Sequence, residues 1–184
     1  VNLEVSNGNV VANEKMQSSL KNIYVPGDVN GKNLLAHAAF KMGYVAASEI
    51  VEGKSDKYNN NIIPRAIYTY PEIGSVGLTE EEAKKSYDVK VGKFNYGANG
   101  RALAHGDSSG MVKIISDARY GEILGAHIVG PRASELINEV SILMQSEVIV
   151  EEAIKMVFGH PTFSEAIYEA IADVEGVSVH LPKK

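Results

Sequence analysis

The chain has no cysteine and no tryptophan among its 184 residues. The absence of cysteine excludes disulfide bonds, thiolate metal sites and a cysteine nucleophile within this chain, and it favours a cytoplasmic location. No apolar run is long enough to span a bilayer, so the sequence predicts no membrane segment. The formal charge of −5 and the lack of any Lys/Arg cluster argue against nucleic acid as a partner.

What is present fits an ordinary globular protein. The hydrophobic share of 45% and the charged share of 22% are typical of a chain that buries a core. The length predicts one medium domain, or a small domain with part of another. The sequence opens on Val1 rather than on methionine and leads directly into Leu3-Glu4-Val5, so we expect it to be a piece of a longer protein.

The order of predicted elements indicates an α+β fold. Residues 53–61 are polar and without periodicity, which predicts a boundary between residues 1–60 and residues 61–184. Beyond it, strands come first and helices follow, as expected for an antiparallel sheet with helices packed on one face. The first part carries one helix, at 33–52. The second part carries strands at 62–69, 73–78, 89–96, 111–116 and 122–129, a capped helix from Thr79, and helices at 133–145, 151–158 and 163–173.

The most suggestive stretch lies near the C-terminus and reads Gly159-His-Pro-Thr-Phe-Ser-Glu165. Proline is favoured at a helix start and extends the residue before it, so His160 is expected just outside a helix that begins around Thr162. Thr162 and Glu165 have the spacing of a capping box. An imidazole on a stiff backbone with a carboxylate five residues on is a candidate general base with its orienting partner. The spacing alone favours a surface histidine beside an ordinary capped helix.

Three other places hold candidate site residues, each with a simpler alternative. Asp28 follows a short apolar strand, where ligands of open α/β sheets bind, although a plain β-turn explains Pro26-Gly27-Asp28 better. His37 lies on a helix rich in small residues, which would permit close approach to a sheet or a flat ligand. By default it is a packed or hydrogen-bonded histidine. His105 and His127 have no partners at metal-ligand spacing, so no metal site is predicted.

Motifs along nearly the whole chain resemble those of the flavin disulfide reductases. His160-Pro161-Thr162-x-Ser164-Glu165 resembles the C-terminal signature of that family. Two further motifs are similar to the family's flavin-contacting segments, and three longer runs resemble the dihydrolipoamide dehydrogenases within the family. They are Ile23-Tyr24-x-x-Gly27-Asp28, Leu35-Ala36-His37, the run from Tyr70 to Glu80, the run from Ala98 to Leu103, and the run from Gly121 to Pro131.

The resemblance implies a homodimeric enzyme with FAD that oxidises dihydrolipoyl groups through a redox disulfide and reduces NAD. Residues 61–184 would form its dimerisation domain, and residues 1–60 would be the C-terminal piece of its FAD-binding region. Its partners would be the lipoyl domains of 2-oxoacid dehydrogenase or glycine cleavage complexes, with no nucleic acid and no membrane involved.

The resemblance also implies roles for individual residues. His160 would accept the proton of a substrate thiol at the partner subunit's disulfide, and Glu165 would hold the other ring nitrogen. Because Glu165 would serve the ring, we expect its helix cap to be partial. Asp28 would hydrogen-bond the ribityl or phosphate region of FAD. The backbone of Leu35, Ala36 and His37 would lie against the flavin ring.

Two alternatives stay open at this point. The chain could be the equivalent portion of glutathione or mercuric reductase, which share the His-Pro-Thr-x-Ser-Glu signature. It could also act only as a dimerisation module, through the apolar faces of helices 133–145 and 163–173. The family's Gly-x-Gly-x-x-Gly turn and cysteine pair do not occur in these 184 residues. We therefore expect the isolated chain to be inactive by itself and to bind neither FAD nor NAD stably.

Overall fold

A computed structural model describes residues 1–182 and divides the chain into two compact units. The first spans Val1–Asn60, and the second begins at Asn61. Among the described residues, none of the helices is both long and apolar enough to cross a membrane.

The first unit contains a small hairpin and one long helix. Strands β1 (Val5–Ser6) and β2 (Asn9–Val10) pair antiparallel, and helix α1 spans Ala36–Glu52. The helix begins three residues later than predicted. Asn33 explains the difference, because its buried side-chain amide donates to the Tyr58 hydroxyl and to the side-chain Oδ1 of Asn60.

The second unit is built on a five-stranded antiparallel sheet in the order β3-β4-β7-β6-β5. The α+β prediction is confirmed. In the described part of this unit, three α-helices of six or more residues and two α-helices of four residues accompany the sheet. The strands are β3 (Arg65–Ile67), β4 (Ile73–Gly77), β5 (Val89–Asn95), β6 (Met111–Asp117) and β7 (Ile123–Val129), and the helices are α2 (Glu80–Ala83), α3 (Gly100–His105), α4 (Ala133–Gln145), α5 (Val150–Ala153) and α6 (Glu165–Val174).

The core lies between one face of this sheet and helices α4 and α6. Strand side chains alternate between two faces, so Val112 and Ile114 of β6 share a face with Ala126 and Ile128 of β7. All four are fully buried and belong to one cluster with the apolar faces of both helices. The apolar stripe of α4 predicted its bounds correctly, and the capping box predicted at Thr79 is present at the start of α2.

Two glycines let the helices lie directly on the strands. A Cβ placed on Gly74 of β4 would come within 2.9 Å of the Ile137 Cβ on α4. A Cβ on Gly92 of β5 would come within 2.7 Å of the Val174 backbone nitrogen on α6. Both contacts are closer than real Cβ atoms adopt, so only glycine permits this helix–sheet spacing.

Two helix predictions near the C-terminus were wrong in extent. The helix expected at 151–158 ends at Ala153, and the amides of Lys155 and Met156 then bond to the third residue before them, which makes tight turns rather than a helix. The helix expected to begin around Thr162 begins at Glu165. Residues 157–164 therefore form a longer loop than the sequence predicted.

Candidate active site: a histidine–glutamate pair at the start of α6

His160 and Glu165 are in direct contact. The ring Nδ1 of His160 lies 2.8 Å from Oε1 of Glu165. The histidine side chain is 74% exposed, whereas the glutamate side chain is 19% exposed. Since a carboxylate accepts, the ring donates from Nδ1, and Nε2 is left as the proton acceptor. This arrangement suits a general base that faces outward from this chain.

The second oxygen of Glu165 is also engaged. Oε2 accepts a hydrogen bond of 2.7 Å from the backbone amide of Thr162. The Thr162 hydroxyl donates to the carbonyl oxygen of Gly159 rather than accepting from the amide of Glu165. The capping box is thus half formed, as expected, but not for the expected reason. The carboxylate accepts hydrogen bonds from both the ring and the backbone. The missing half of the box is the threonine hydroxyl, which bonds to Gly159 instead.

Packing beneath the histidine loop comes from Phe163. Its ring meets Tyr96 edge-on at 6.3 Å between centroids, and it meets His105 of α3 at 5.8 Å. Tyr96 is fully buried, and its hydroxyl has no hydrogen-bond partner within the described part of the chain. Burial raises the pKa of Tyr96 well above its usual range, and the negative charge of Glu139 adds to the effect. The tyrosine is therefore a neutral packing element under the loop.

Two polar side chains from outside the motif tie the same loop down. Ser164 donates a hydrogen bond of 2.7 Å to Oε1 of Glu139 on α4. Asn99, which precedes α3, donates from its side-chain amide to the carbonyl oxygen of Thr162 at 3.0 Å. The two neighbours of Phe163 are thus anchored to different elements of the second unit, Thr162 through its carbonyl group and Ser164 through its hydroxyl.

The four residues predicted to contact flavin lie in the first unit. Asp28 opens a short 3-10 turn and is exposed, and Leu35, Ala36 and His37 form the start of α1. The helix has no side-chain cap at Leu35 and no acidic residue in its first turn. The positive end of its dipole is therefore open to a polar or anionic group, and the exposed alanine leaves clearance there. These features would suit a flavin.

A second histidine–glutamate pair, which the sequence did not suggest, joins Glu169 in the middle of α6 to His180 in the segment after the helix. Nδ1 of His180 is 2.7 Å from Oε1 of Glu169, and the glutamate side chain is only 4% exposed. Burial alone would raise the pKa of Glu169, but hydrogen bonds from Ser178 and His180 outweigh it and hold the pKa below its ordinary value. This pair fixes the segment after α6, and its glutamate lies one helical turn after Glu165.

Sequence reasoning also missed Asn99 and Glu139. Asn99 could have been found, because asparagine is a preferred N-cap and its Oδ1 accepts from the amide of Ala102 at the start of α3. Its contact with Thr162, 63 residues away, has no signal in a single sequence. Across the described residues, no group of three or more His, Cys, Asp or Glu side chains could hold a metal.

Known proteins are similar to this chain in sequence or in fold. The dihydrolipoyl dehydrogenase of Bacillus subtilis is 41% identical over 93% of this chain, and that of Thermus scotoductus is 41% identical over 95%. The structure of the HOCl-induced flavoprotein disulfide reductase RclA from Escherichia coli superposes with a TM-score of 0.83 at 26% identity, covering 94% of this chain and 40% of that one. LpdA from Mycobacterium tuberculosis has the same fold, with a TM-score of 0.89 at 24% identity, covering 95% of this chain and 38% of that one.

The chain is much shorter than its relatives. It spans 37% of the Bacillus protein and 38% of the Thermus protein. The family model for the pyridine nucleotide-disulphide oxidoreductase dimerisation domain matches residues 63–171, which include the whole five-stranded sheet and the His160–Glu165 pair. The chain therefore belongs to the pyridine nucleotide-disulphide oxidoreductase family and contains its dimerisation domain.

Proposed function

We propose that this chain is the C-terminal part of a dihydrolipoyl dehydrogenase, in which it supplies the dimer interface and an acid–base pair. The observation that carries the proposal is the geometry of His160. Its Nδ1 is held by a carboxylate that is itself held by the backbone, and its exposed ring leaves Nε2 available to a partner. The 41% identity to dihydrolipoyl dehydrogenases supports the choice of enzyme within the family.

In this proposal Nε2 of His160 takes the proton from a dihydrolipoyl thiol. The thiolate attacks one sulfur of a redox disulfide, so a new S–S bond forms, the old one breaks, and its second sulfur leaves as a thiolate. Glu165 stabilises the imidazolium that results and keeps the ring in one orientation. The second dihydrolipoyl thiol would then attack the mixed disulfide, which releases oxidised lipoyl and leaves the redox disulfide as a dithiol. The disulfide must come from outside this chain, because the 184 residues contain no cysteine.

The proposal includes FAD and NAD as cofactors of the full-length enzyme. When bound, FAD would supply the electron-transfer chemistry between that dithiol and NAD. Asp28 and the start of α1 at Leu35, Ala36 and His37 would help to hold FAD. Residues 1–60, which contain them, would be the end of the FAD-binding region. The interface domain of residues 61–184 would pair with a second copy. Lipoyl domains of 2-oxoacid dehydrogenase or glycine cleavage complexes would be the partners, in the cytoplasm.

Exchange of His160 for glutamine in the full-length enzyme tests the acid–base role. We expect dihydrolipoamide oxidation to fall about 10²- to 10⁴-fold, the usual contribution of general acid–base catalysis. The dimer mass, measured by light scattering, should not change. His180→Gln is the matched control, because it removes the ring of the other histidine–glutamate pair.

The outcomes separate the alternatives. Dissociation of the His160→Gln dimer with turnover preserved would leave only a dimerisation role. A parallel assay with glutathione identifies the substrate, since faster turnover of glutathione than of lipoamide would favour another disulfide reductase. The isolated 184-residue chain with added FAD should give no lipoamide-dependent NADH turnover, and any rate above the blank would contradict that expectation.

A further inference from the structure

Within the loop of residues 157–164, the segment that carries His160 has little packing of its own. Gly159, His160 and Pro161 are exposed, and Thr162 is half-buried. A loop of this kind is positioned by its hydrogen bonds more than by burial. The side chains that hold its peptide groups therefore decide where the imidazole lies.

Asn99 is the most buried side chain that bonds to this loop. The residue is 3% exposed, and both ends of its amide are used. Nδ2 donates to the Thr162 carbonyl oxygen at 3.0 Å, and Oδ1 accepts from the Ala102 amide at 2.9 Å. The amide donor and acceptor thus join the loop to the first turn of α3.

The Asn99 contact is continuous with the histidine–glutamate pair. Thr162 accepts from Asn99 through its carbonyl group and donates through its amide to Oε2 of Glu165 at 2.7 Å. Oε1 of the same carboxylate accepts from Nδ1 of His160 at 2.8 Å. Movement of Thr162 would rotate the carboxylate and change the partner of Nδ1. The three hydrogen bonds form a chain from a buried amide to an exposed ring.

We propose that Asn99 is a positioning residue for His160. It fixes Thr162, and through Thr162 and Glu165 it selects the ring tautomer with the proton on Nδ1. Its catalytic consequence rests on the proposed function, but its effect on the tautomer does not. The competing explanation is that Asn99 acts only as the N-cap of α3.

Two substitutions separate these explanations because they keep the cap and remove the donor. In Asn99→Ser the hydroxyl can still accept from the Ala102 amide, but it is too short to reach Thr162. In Asn99→Asp the cap also survives, and a carboxylate oxygen faces the Thr162 carbonyl in place of the amide. Thr79→Ala is the matched control, since it removes a capping box from α2, which has no bond to the histidine loop.

The first measurement is the tautomer of His160 in the 184-residue chain, read from nitrogen-15 chemical shifts and assigned with His160→Gln. We expect the Nδ1–H form to dominate in the unsubstituted chain and in Thr79→Ala, and the Nε2–H form to gain in both Asn99 variants. An unchanged tautomer in a folded Asn99→Ser or Asn99→Asp chain would overturn the proposal.

The second measurement is turnover in the full-length enzyme. Loss of one positioning hydrogen bond should lower kcat for dihydrolipoamide oxidation about 3- to 30-fold, with the KM for NAD unchanged. An equal loss in Thr79→Ala would assign the effect to general destabilisation and refute the positioning role. If His160→Gln itself retains full turnover, the proposed function fails, while the tautomer measurement still decides the role of Asn99.

Discussion

Replacement of Glu169 with alanine should destabilise the second unit more than any other single removal of a charge. This carboxylate is buried against the segment that follows α6 and accepts four hydrogen bonds. Three of them reach Oε2, from the Ser178 hydroxyl and from the backbone amides of Val179 and His180. The fourth comes from the His180 ring at 2.7 Å.

The magnitude follows from these four contacts and two opposing effects. A hydrogen bond to a charged group contributes about 1.5–3 kcal/mol. Val179 and His180 are exposed, so their donors regain water when the carboxylate is removed. The cost of burying the charge offsets another part of the gain. We expect a net loss of about 2–3 kcal/mol, which corresponds to roughly 10 °C in Tm for a unit of this size.

The assay is thermal and urea unfolding of the 184-residue chain, followed by far-UV circular dichroism near neutral pH. Glu169→Gln preserves the shape and one acceptor, so it should cost about half as much as alanine. Glu175→Gln is the control, because Glu175 lies just after the same helix and, among residues 1–182, forms its ion pair with the exposed side chain of Lys90. If Glu169→Ala melts within about 2 °C of this control, the buried network does not stabilise the unit and the reasoning is wrong.

Two further changes test the sheet and its edge. Gly92→Ala would place a methyl group against the Ala170 carbonyl oxygen of α6, so we expect a loss of about 2–4 kcal/mol in urea unfolding; Gly97→Ala, with no atom near its Cβ, should cost far less, and equal losses would contradict the packing. Hydrogen bonds from Lys113, which has the larger effect, and from Lys84 lower the pKa of the Glu80 carboxyl group from 4.5 to about 2. The stabilisation by this depressed carboxyl is complete above pH 4.5 and is lost as the pH falls towards 2. The urea midpoint of Glu80→Gln should therefore fall less steeply over that range, and parallel profiles would refute the assignment.

The sequence predicted the elements whose pattern is local. The apolar residues along α4 predicted both the first and the last residue of that helix. The spacing of Thr79 and the glutamate three residues later predicted a capping box that the structure contains. Alternation predicted the strand at 89–96, and apolar, strand-like runs predicted the other four strands of the sheet to within about three residues. These features depend on neighbours within one or two turns, where spacing and side-chain chemistry are sufficient.

The anchoring of the histidine loop could not be predicted in the same way. The spacing of His160 and Glu165 indicated that the two side chains could meet, and the structure brings them together. The contacts that fix them, from Asn99 and Glu139, cross between segments that only the fold makes neighbours. Buried Glu169 shows the same limit, since a glutamate on a helix reads as a solvated residue until the following segment folds over it.

Gly74 and Gly92 of the sheet have a consequence for which substitutions this protein can accept. Where Gly74 and Gly92 touch α4 and α6, backbone rests on backbone, with no side chain between them that could shrink or swing aside. Substitutions among the isoleucines and valines nearby can be absorbed by new rotamers, while the height of each helix above its strand stays the same. The interior can therefore change over evolutionary time while the C-terminal half of α6, the helix whose first residue is Glu165, stays at the same height above the sheet.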